Sequence, residues 1–338
     1  MHFPARSVLA IDASPFGQSL MLLPVLRALR EANPTMFLVG AAPTGTCELL
    51  SGCCIADDTI SLGIIRSPAG GASSNTAKRL WTMVRRSRQY VFDVVLDFSP
   101  RFETQVLSRL VLRAPVFSPA RFPRVFGRLL ELGGVARSAQ PVRSVYNNVL
   151  QQIGVEMRDT RFAIDASPEE DERFEKRLAN SGSRGGELIA LLYSSNRSDA
   201  RGWPVVAFGE IGTRLVNNFE ARIIICDEPS DNAFTRSVIP WLPRSAIRLA
   251  QPRALELIAA IARASIVITD EPAIAQIASE LSTPAIEVAD ALTAQAQPSA
   301  AHRIACASSR ARVSIDQVFE IASEMIQEHR STSLFQRS

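Results

Sequence analysis

The chain has 338 residues, 46% of them hydrophobic, enough for two cored domains, since single cores stop growing at roughly 250–300 residues. No run of about 18 uninterrupted apolar residues occurs, and MHFPARSVLAID lacks an apolar core followed by a small-residue cleavage site, so the expectation is a cytoplasmic protein. Five cysteines, odd in number and without metal-ligand spacing, argue against a disulfide framework or a zinc site and are expected to be small buried hydrophobes.

The first half alternates as a parallel sheet with crossover helices does. Ser7–Ile11 reads as a short apolar strand. Ser14 is expected to cap a helix over Phe16–Glu31, with Pro15 at its first position and Asn33–Pro34 as its breaker. Met36–Val39 is a second strand, Thr46–Leu50 a short helix, and Val91–Asp97 a buried strand running into a loop. Between them, Gly70–Asn75 reads as flexible and Ala77–Tyr90 as a basic amphipathic helix carrying Trp81. Thr104–Leu112 and Val142–Ile153 are further helices, with Gly154 as the C-cap of the second.

Ser167–Pro168–Glu169–Glu170 opens a helix to about Asn180, with proline and acids in its first turn. Ser181–Gly186 (SGSRGG) is linker-like, and beyond it the alternation restarts. Glu187–Leu192, Ala221–Cys226, Ser265–Thr269 and Ala285–Val288 read as strands; Val205–Asn217, Leu255–Arg263 and Ser314–Glu328 read as helices. There is no Walker loop, no Gly-x-Gly-x-x-Gly after the first strand and no DNA-reading pattern. Nucleotide hydrolysis, dinucleotide binding and nucleic-acid partners therefore find no support. The histidines, His2, His302 and His329, pair with no nucleophile in sequence and receive no catalytic role.

The net charge of +3 hides an uneven distribution. Residues 1–160 carry 18 Lys/Arg against 11 Asp/Glu, the remainder 19 against 23. Lys78, Arg79 and Arg85–Arg88 cluster around Trp81, and eight arginines face two acids between Arg101 and Arg143. Such a field attracts an anionic partner; the alternative is a solvated face on arginine-rich helices.

Two segments stand out. Phe16–Pro34 reads FGQSLMLLPVLRALREANP and Ile268–Pro284 reads ITDEPAIAQIASELSTP. They resemble the two signature segments of the bacterial lipopolysaccharide heptosyltransferases, glycosyltransferase family 9. The family's first segment runs G-D-x-(apolar)-P-x-x-x-A-L-(K/R)-x-x-x-P. Here Gly17, Pro24, Ala28, Leu29, Arg30 and Pro34 fall in place and Gln18 stands at the acidic position. The second normally reads N-D-S-G-P-x-H-x-A; here it reads Asp270, Glu271, Pro272, Ala273, Ile274, Ala275, Gln276, Ile277, Ala278. The family's His-Pro-Gly-like turn and Lys-x-Trp-Pro become Tyr193–Ser194–Ser195 and Arg201–Gly202–Trp203–Pro204. Its T-G-G-x-x-(E/D) becomes Cys226–Asp227–Glu228–Pro229–Ser230–Asp231.

The resemblance implies an α/β fold of the GT-B type, two Rossmann-like domains with parallel sheets facing a central cleft. An acceptor-side domain is expected over residues 1–165 and a nucleotide-sugar-side domain with a closing C-terminal helix over 166–338. It implies inverting, metal-independent transfer of heptose or a related sugar from a nucleotide-sugar donor to an envelope glycan such as lipopolysaccharide, with no cofactor. Such a transfer needs a base for the acceptor hydroxyl and positive or N–H groups around the diphosphate.

The base position is Gln18, whose amide cannot act as a base, and Asp12 at the end of the first strand is the candidate replacement; the alternative is that Asp12 forms a turn or caps a helix. Donor contacts are implied at Ser194, Ser195, Arg201, Trp203, Asp231, Glu271, Ala273 and Gln276. Pro272 removes an N–H from the turn that would meet the diphosphate. Asp227, Glu228 and Asp231 either bring negative charge toward the donor or form a solvated turn and helix start. Acceptor contacts are expected at Lys78, Arg79, Arg101, Arg121 and Arg124. Expected partners are an ADP-heptose-like nucleotide sugar, an anionic glycolipid or the inner-membrane surface, and a partner protein. The competing reading is a catalytically silent relative that binds a glycan, lipid or protein.

Overall fold

A computed structural model describes the protein over residues 5–63, 85–99, 114–118, 142–165, 167–180, 188–194, 202–227, 233–242, 246–249, 252–290 and 302–335. The Gly70–Asn75 stretch, the helix expected at Thr104–Leu112, most of that at Ala77–Tyr90 and the Ser181–Gly186 linker lie outside these residues. The chain divides into two units, the first drawn from Met1–Pro43, Cys53–Ile65 and Ala72–Arg161, the second from Thr44–Gly52 and Phe162–Ser338.

In the first unit, β1 (Ser7–Ile11), β2 (Phe37–Ala42), β3 (Asp58–Ser61), β4 (Val94–Asp97) and β5 (Val116–Phe117) form a parallel sheet ordered β3-β2-β1-β4-β5. The central strands read as unbroken apolar runs because parallel strands are covered on both faces. Leu9, Ile11, Val39, Ile60 and Val95 build the core on one face. Ile11 pairs with Ala41 on one side and Asp97 on the other, so β1 and β4 end together at the carboxyl edge, where open parallel sheets take ligands.

The helix expected over Phe16–Glu31 is two pieces, α1 (Phe16–Ser19) and α2 (Leu22–Ala32). Pro24 explains the break. It has no N–H for the Leu20 carbonyl, and its ring crowds that carbonyl, which takes the Leu23 N–H at 3.0 Å instead. Ser14 is not the cap either: Pro15 occupies the N-cap position with no side-chain cap bond, and the Ser14 N–H goes to Asp12. Asn33 ends α2 in an extended conformation, as a residue before proline must, and its amide donates to the Ala5 carbonyl at 3.0 Å. After α4 (Val142–Gln152), Gly154 has φ 73°. The Val155 N–H reaches the Leu150 carbonyl at 3.0 Å and the Gly154 N–H that of Gln151 at 3.1 Å, the Schellman pattern that the glycine allows.

The second unit contains α3 (Thr44–Gly52), whose Glu48 Oε2 accepts the Ala254 N–H at 2.8 Å and so caps α8 (Ala254–Arg263). Its parallel sheet is ordered β11-β10-β9-β6-β7-β8, from β6 (Ile189–Tyr193), β7 (Arg222–Cys226), β8 (Ile247–Leu249), β9 (Ile266–Thr269), β10 (Ala285–Asp290) and β11 (His302–Ala307). The helices around it are α5 (Pro168–Asn180), α6 (Val205–Phe219), α7 (Ala233–Val238), α8, α9 (Pro272–Glu280) and α10 (Ile315–Phe335). One core joins Leu192, Phe208, Ile211, Ile223, Ile268, Ile286, Val318 and Met325, the last two contributed by α10. Gly209 and Gly212 let α6 approach closely: a Cβ on Gly209 would stand 2.3 Å from the Trp241 Cβ.

The cysteine expectation holds only in part. Cys47 and Cys226 are buried, Cys53 and Cys306 are intermediate, and Cys54 is exposed at φ 51° in the turn after α3. His302 is buried against Glu287, with Nε2 and Oε2 3.1 Å apart. No helix among the described residues is long and apolar enough to cross a membrane.

Candidate active site

Asp12 is the first residue after β1 and is fully buried. Its Oδ1 accepts the Ser14 N–H at 2.9 Å, closing an Asx turn, and its Oδ2 accepts a hydrogen bond from the Tyr146 hydroxyl on α4. The same hydroxyl lies 3.2 Å from the Gln18 carbonyl oxygen, and Phe98 stacks on the Tyr146 ring at 4.9 Å. The neighbouring strand repeats the device: Asp97 Oδ1 accepts the Ser99 N–H at 2.9 Å, and Ser99 Oγ accepts the Ala13 N–H at 2.9 Å. Backbone and side-chain bonds thus cross-link the two strand ends.

Burial pushes the Asp12 carboxyl above its ordinary range, against the hydrogen bonds from Ser14 and Tyr146. Burial pushes the Tyr146 phenol well above its own range, and the Asp12 charge adds to that. Gln18 is half-buried on the single turn of α1. Asp12 and Gln18 are therefore brought together through Tyr146, with the carboxylate closed to solvent in this state.

In the second sheet, Tyr193 of β6 pairs with Cys226 of β7 and with Thr269 of β9. The residues that follow, Ser194, Asp227 and Asp270, form one row across the carboxyl edge, all buried. Two carboxylates flank the serine. Asp227 Oδ1 accepts the Thr235 N–H in the first turn of α7 at 2.9 Å, and Asp270 Oδ2 accepts the Trp203 N–H at 3.3 Å. The solvated turn expected at Asp227 is corrected: its carboxylate is an internal helix cap. Burial first, and Asp227 second, push the Cys226 thiol well above its ordinary range.

At the start of α9, Pro272 has no N–H, the Glu271 N–H goes to Thr269 Oγ1 at 3.0 Å, and the Ile274 N–H goes to the Glu271 carbonyl at 3.1 Å. Glu271 is buried at the N-cap position but makes no side-chain cap bond, and half-buried Ala273 sits in the first turn. Gln276 Nε2 donates to Glu280 Oε1 at 2.9 Å, while the Glu280 carboxylate accepts the Phe162 and Ala163 N–H groups at 3.0 and 2.9 Å. Gln276 thereby supports a structural clasp. The Trp203 ring is 3% exposed, packs edge-on to Phe208, and donates its indole N–H to the Val313 carbonyl at 3.0 Å. It is a core side chain.

Ser195, Arg201, Asp231, Glu228, Lys78, Arg79, Arg101, Arg121 and Arg124 lie outside the described residues. Among the described residues, no group of three or more His, Cys, Asp or Glu side chains is placed to hold a metal. Two groups at these edges escaped the sequence reading. Tyr146 stands 134 residues from Asp12, and no local pattern marks it. Asp270 lies inside the second signature segment but was not singled out among its residues.

No family model matches the sequence, and no curated protein does. Solved structures do. A glycosyltransferase family 9 protein from Veillonella parvula aligns over 97% of this chain and 99% of its own, with a TM-score of 0.70 and 15% identity. The E. coli ADP-heptose lps heptosyltransferase II aligns over 96% and 99%, with a TM-score of 0.66 and 16% identity. UDP-GlcNAc 2-epimerase from Neisseria meningitidis, bound to UDP-GlcNAc, aligns over 96% and 92%, with a TM-score of 0.54 and 12% identity. The expected fold class is thus found: this chain is an α/β protein of two parallel sheets with the GT-B fold of family 9 glycosyltransferases, shared over nearly its whole length.

Proposed function

We propose that the chain is a diverged, inverting glycosyltransferase of the heptosyltransferase kind. It moves a sugar from an ADP-heptose-like donor to a cell-envelope glycan such as lipopolysaccharide. The observation that carries this reading is the end-to-end correspondence with a family 9 glycosyltransferase and a heptosyltransferase, with nothing of either chain left over beyond a few per cent. In this reading Asp12 is the base, at the strand end where parallel sheets present reactive groups. Tyr146 and the Ser14 N–H hold it until an acceptor hydroxyl displaces the phenol. Ser194, Glu271, Ala273 and Gln276, with Ser195, Arg201 and Asp231, belong to the donor side; Lys78, Arg79, Arg101, Arg121 and Arg124 belong to the acceptor side.

A second reading, a catalytically silent binding or scaffold subunit, is favoured by one observation. The Asp227–Ser194–Asp270 row puts two buried carboxylates at the sheet edge expected to receive an anionic diphosphate. Negative charge there opposes the donor. Titration with ADP-, UDP- and GDP-sugars separates the two. The enzyme reading expects saturable binding of one donor; silence across the panel leaves the scaffold reading.

A further inference from the structure

We propose that the Tyr146 phenol is a two-position gate on Asp12, resting on the carboxylate and turning to the Gln18 carbonyl when Asp12 takes a proton or meets another hydroxyl. The phenol carries one proton and lies between two acceptors, Asp12 Oδ2 and the Gln18 carbonyl oxygen at 3.2 Å. It serves only one of them fully at a time. The Gln18 carbonyl has a donor of its own, the Met21 N–H at 3.3 Å, and a second lone pair to spare, so it is satisfied in either position. Asp12 is not. The Ser14 N–H holds Oδ1, and Oδ2 loses its donor inside a fully buried site when the phenol turns away. A buried acceptor left bare costs about 1–3 kcal/mol, and more when it is charged. The turn is therefore tied to the arrival of a second proton at Oδ2, on Asp12 itself or on a ligand hydroxyl.

In the first case the carboxyl O–H donates to the phenol oxygen and the phenol O–H donates to the Gln18 carbonyl, so one added proton reverses the chain with no group left over. Burial holds the phenol protonated, and Phe98 stacked at 4.9 Å fixes the ring, so only the O–H bond turns. Ionisable groups on the described elements around Asp12 are Asp97 at the end of β4, Arg143 with Tyr146 on α4, and the α2 residues Arg27, Arg30 and Glu31. Asp97 accepts the Ser99 N–H at 2.9 Å, Arg27 donates to the Arg161 carbonyl at 2.8 Å, and Arg30 pairs with Asp57. The second case rests on the reading of Asp12 as the base. There the phenol keeps the place of the acceptor hydroxyl, and Tyr146 is a positioning residue.

Infrared difference spectroscopy of the full chain with ring-labelled tyrosine, titrated from about pH 3 to 8, tests the gate without any turnover. Wild type minus Asp12→Asn isolates the carboxyl, and wild type minus Tyr146→Phe separates Tyr146 from Tyr90 and Tyr193. The Tyr146 C–O band is expected to move in step with Asp12 protonation and to stand still in Asp12→Asn. In Tyr146→Phe, Asp12 should titrate at higher pH, since the phenol's hydrogen bond favours the charged form against the burial that opposes it. The acid limb of kcat/KM should move the same way, with the high-pH plateau kept within about tenfold because the base itself remains. A merely structural tyrosine would lower the plateau and leave the limb in place. A phenol band indifferent to Asp12, or an Asp12 titration unchanged in Tyr146→Phe, would overturn the gate. A wild type without transfer would remove the base reading alone, with the infrared titration deciding the gate.

Discussion

The Tyr146 hydroxyl donates to the Asp12 carboxylate across 134 residues of sequence, joining the end of β1 to α4 inside the first unit. Replacing Tyr146 by Phe leaves Asp12 buried with one oxygen short of its donor. A hydrogen bond to a charged group is worth about 1.5–3 kcal/mol. Urea denaturation of Tyr146→Phe should show a loss of that order, with an unchanged m-value. A loss under about 0.5 kcal/mol would mean that the pair holds nothing.

The raised Asp12 carboxyl fixes the sign of a pH effect. Its folded value lies above the ordinary 3.8, so the folded state binds this proton more tightly than the unfolded chain does. The group's contribution is fully present below 3.8 and is lost as pH rises through the folded value. Asp12→Asn removes the titration while keeping an acceptor oxygen for Tyr146. Compared with that variant, the wild type should therefore lose stability as pH is raised from about 3 to 7, as followed by chemical denaturation. A wild type that gains on the variant over the same range would contradict the assignment.

Gly209→Ala gives a test of packing in the second unit. In a helix interior the change alone should gain up to about 1 kcal/mol. Here the new Cβ would meet the Trp241 Cβ at 2.3 Å and its carbonyl oxygen at 2.9 Å. The backbone cannot step aside as a flexible side chain would, and overpacking costs about 1–3 kcal/mol. Thermal unfolding should show a lower Tm; a higher one would mean that the Ile239–Trp241 turn yields freely.

The central strands were legible in the sequence because parallel strands covered on both faces leave continuous apolar runs such as SVLAI and VFDVVLD. The edge strands were not. β3 (DTIS), β8 (IRL) and β11 (HRIACA) are short or carry polar residues toward solvent and lack such a run. The break at Leu20–Met21 was hidden because the apolar spacing continues through it, and Pro24 acts on a carbonyl four residues earlier. In the candidate site, Asp12 was placed by its position after β1. Tyr146 was not, since only the fold brings α4 to that strand end. Asp227 read as solvated because an acid beside Pro229 and Ser230 is usually a turn, whereas the register with Tyr193 puts it inside.

The most direct test of the proposed activity is transfer of labelled sugar from ADP-heptose to a lipopolysaccharide-type acceptor, by the wild type and by Asp12→Asn. Turnover is expected in the wild type. The variant should fall by about 10²-fold or more, with little change in donor affinity, because removing a base lowers kcat without touching the donor. A wild type that neither binds nor consumes the donor would contradict the account, as would transfer that survives Asp12→Asn undiminished.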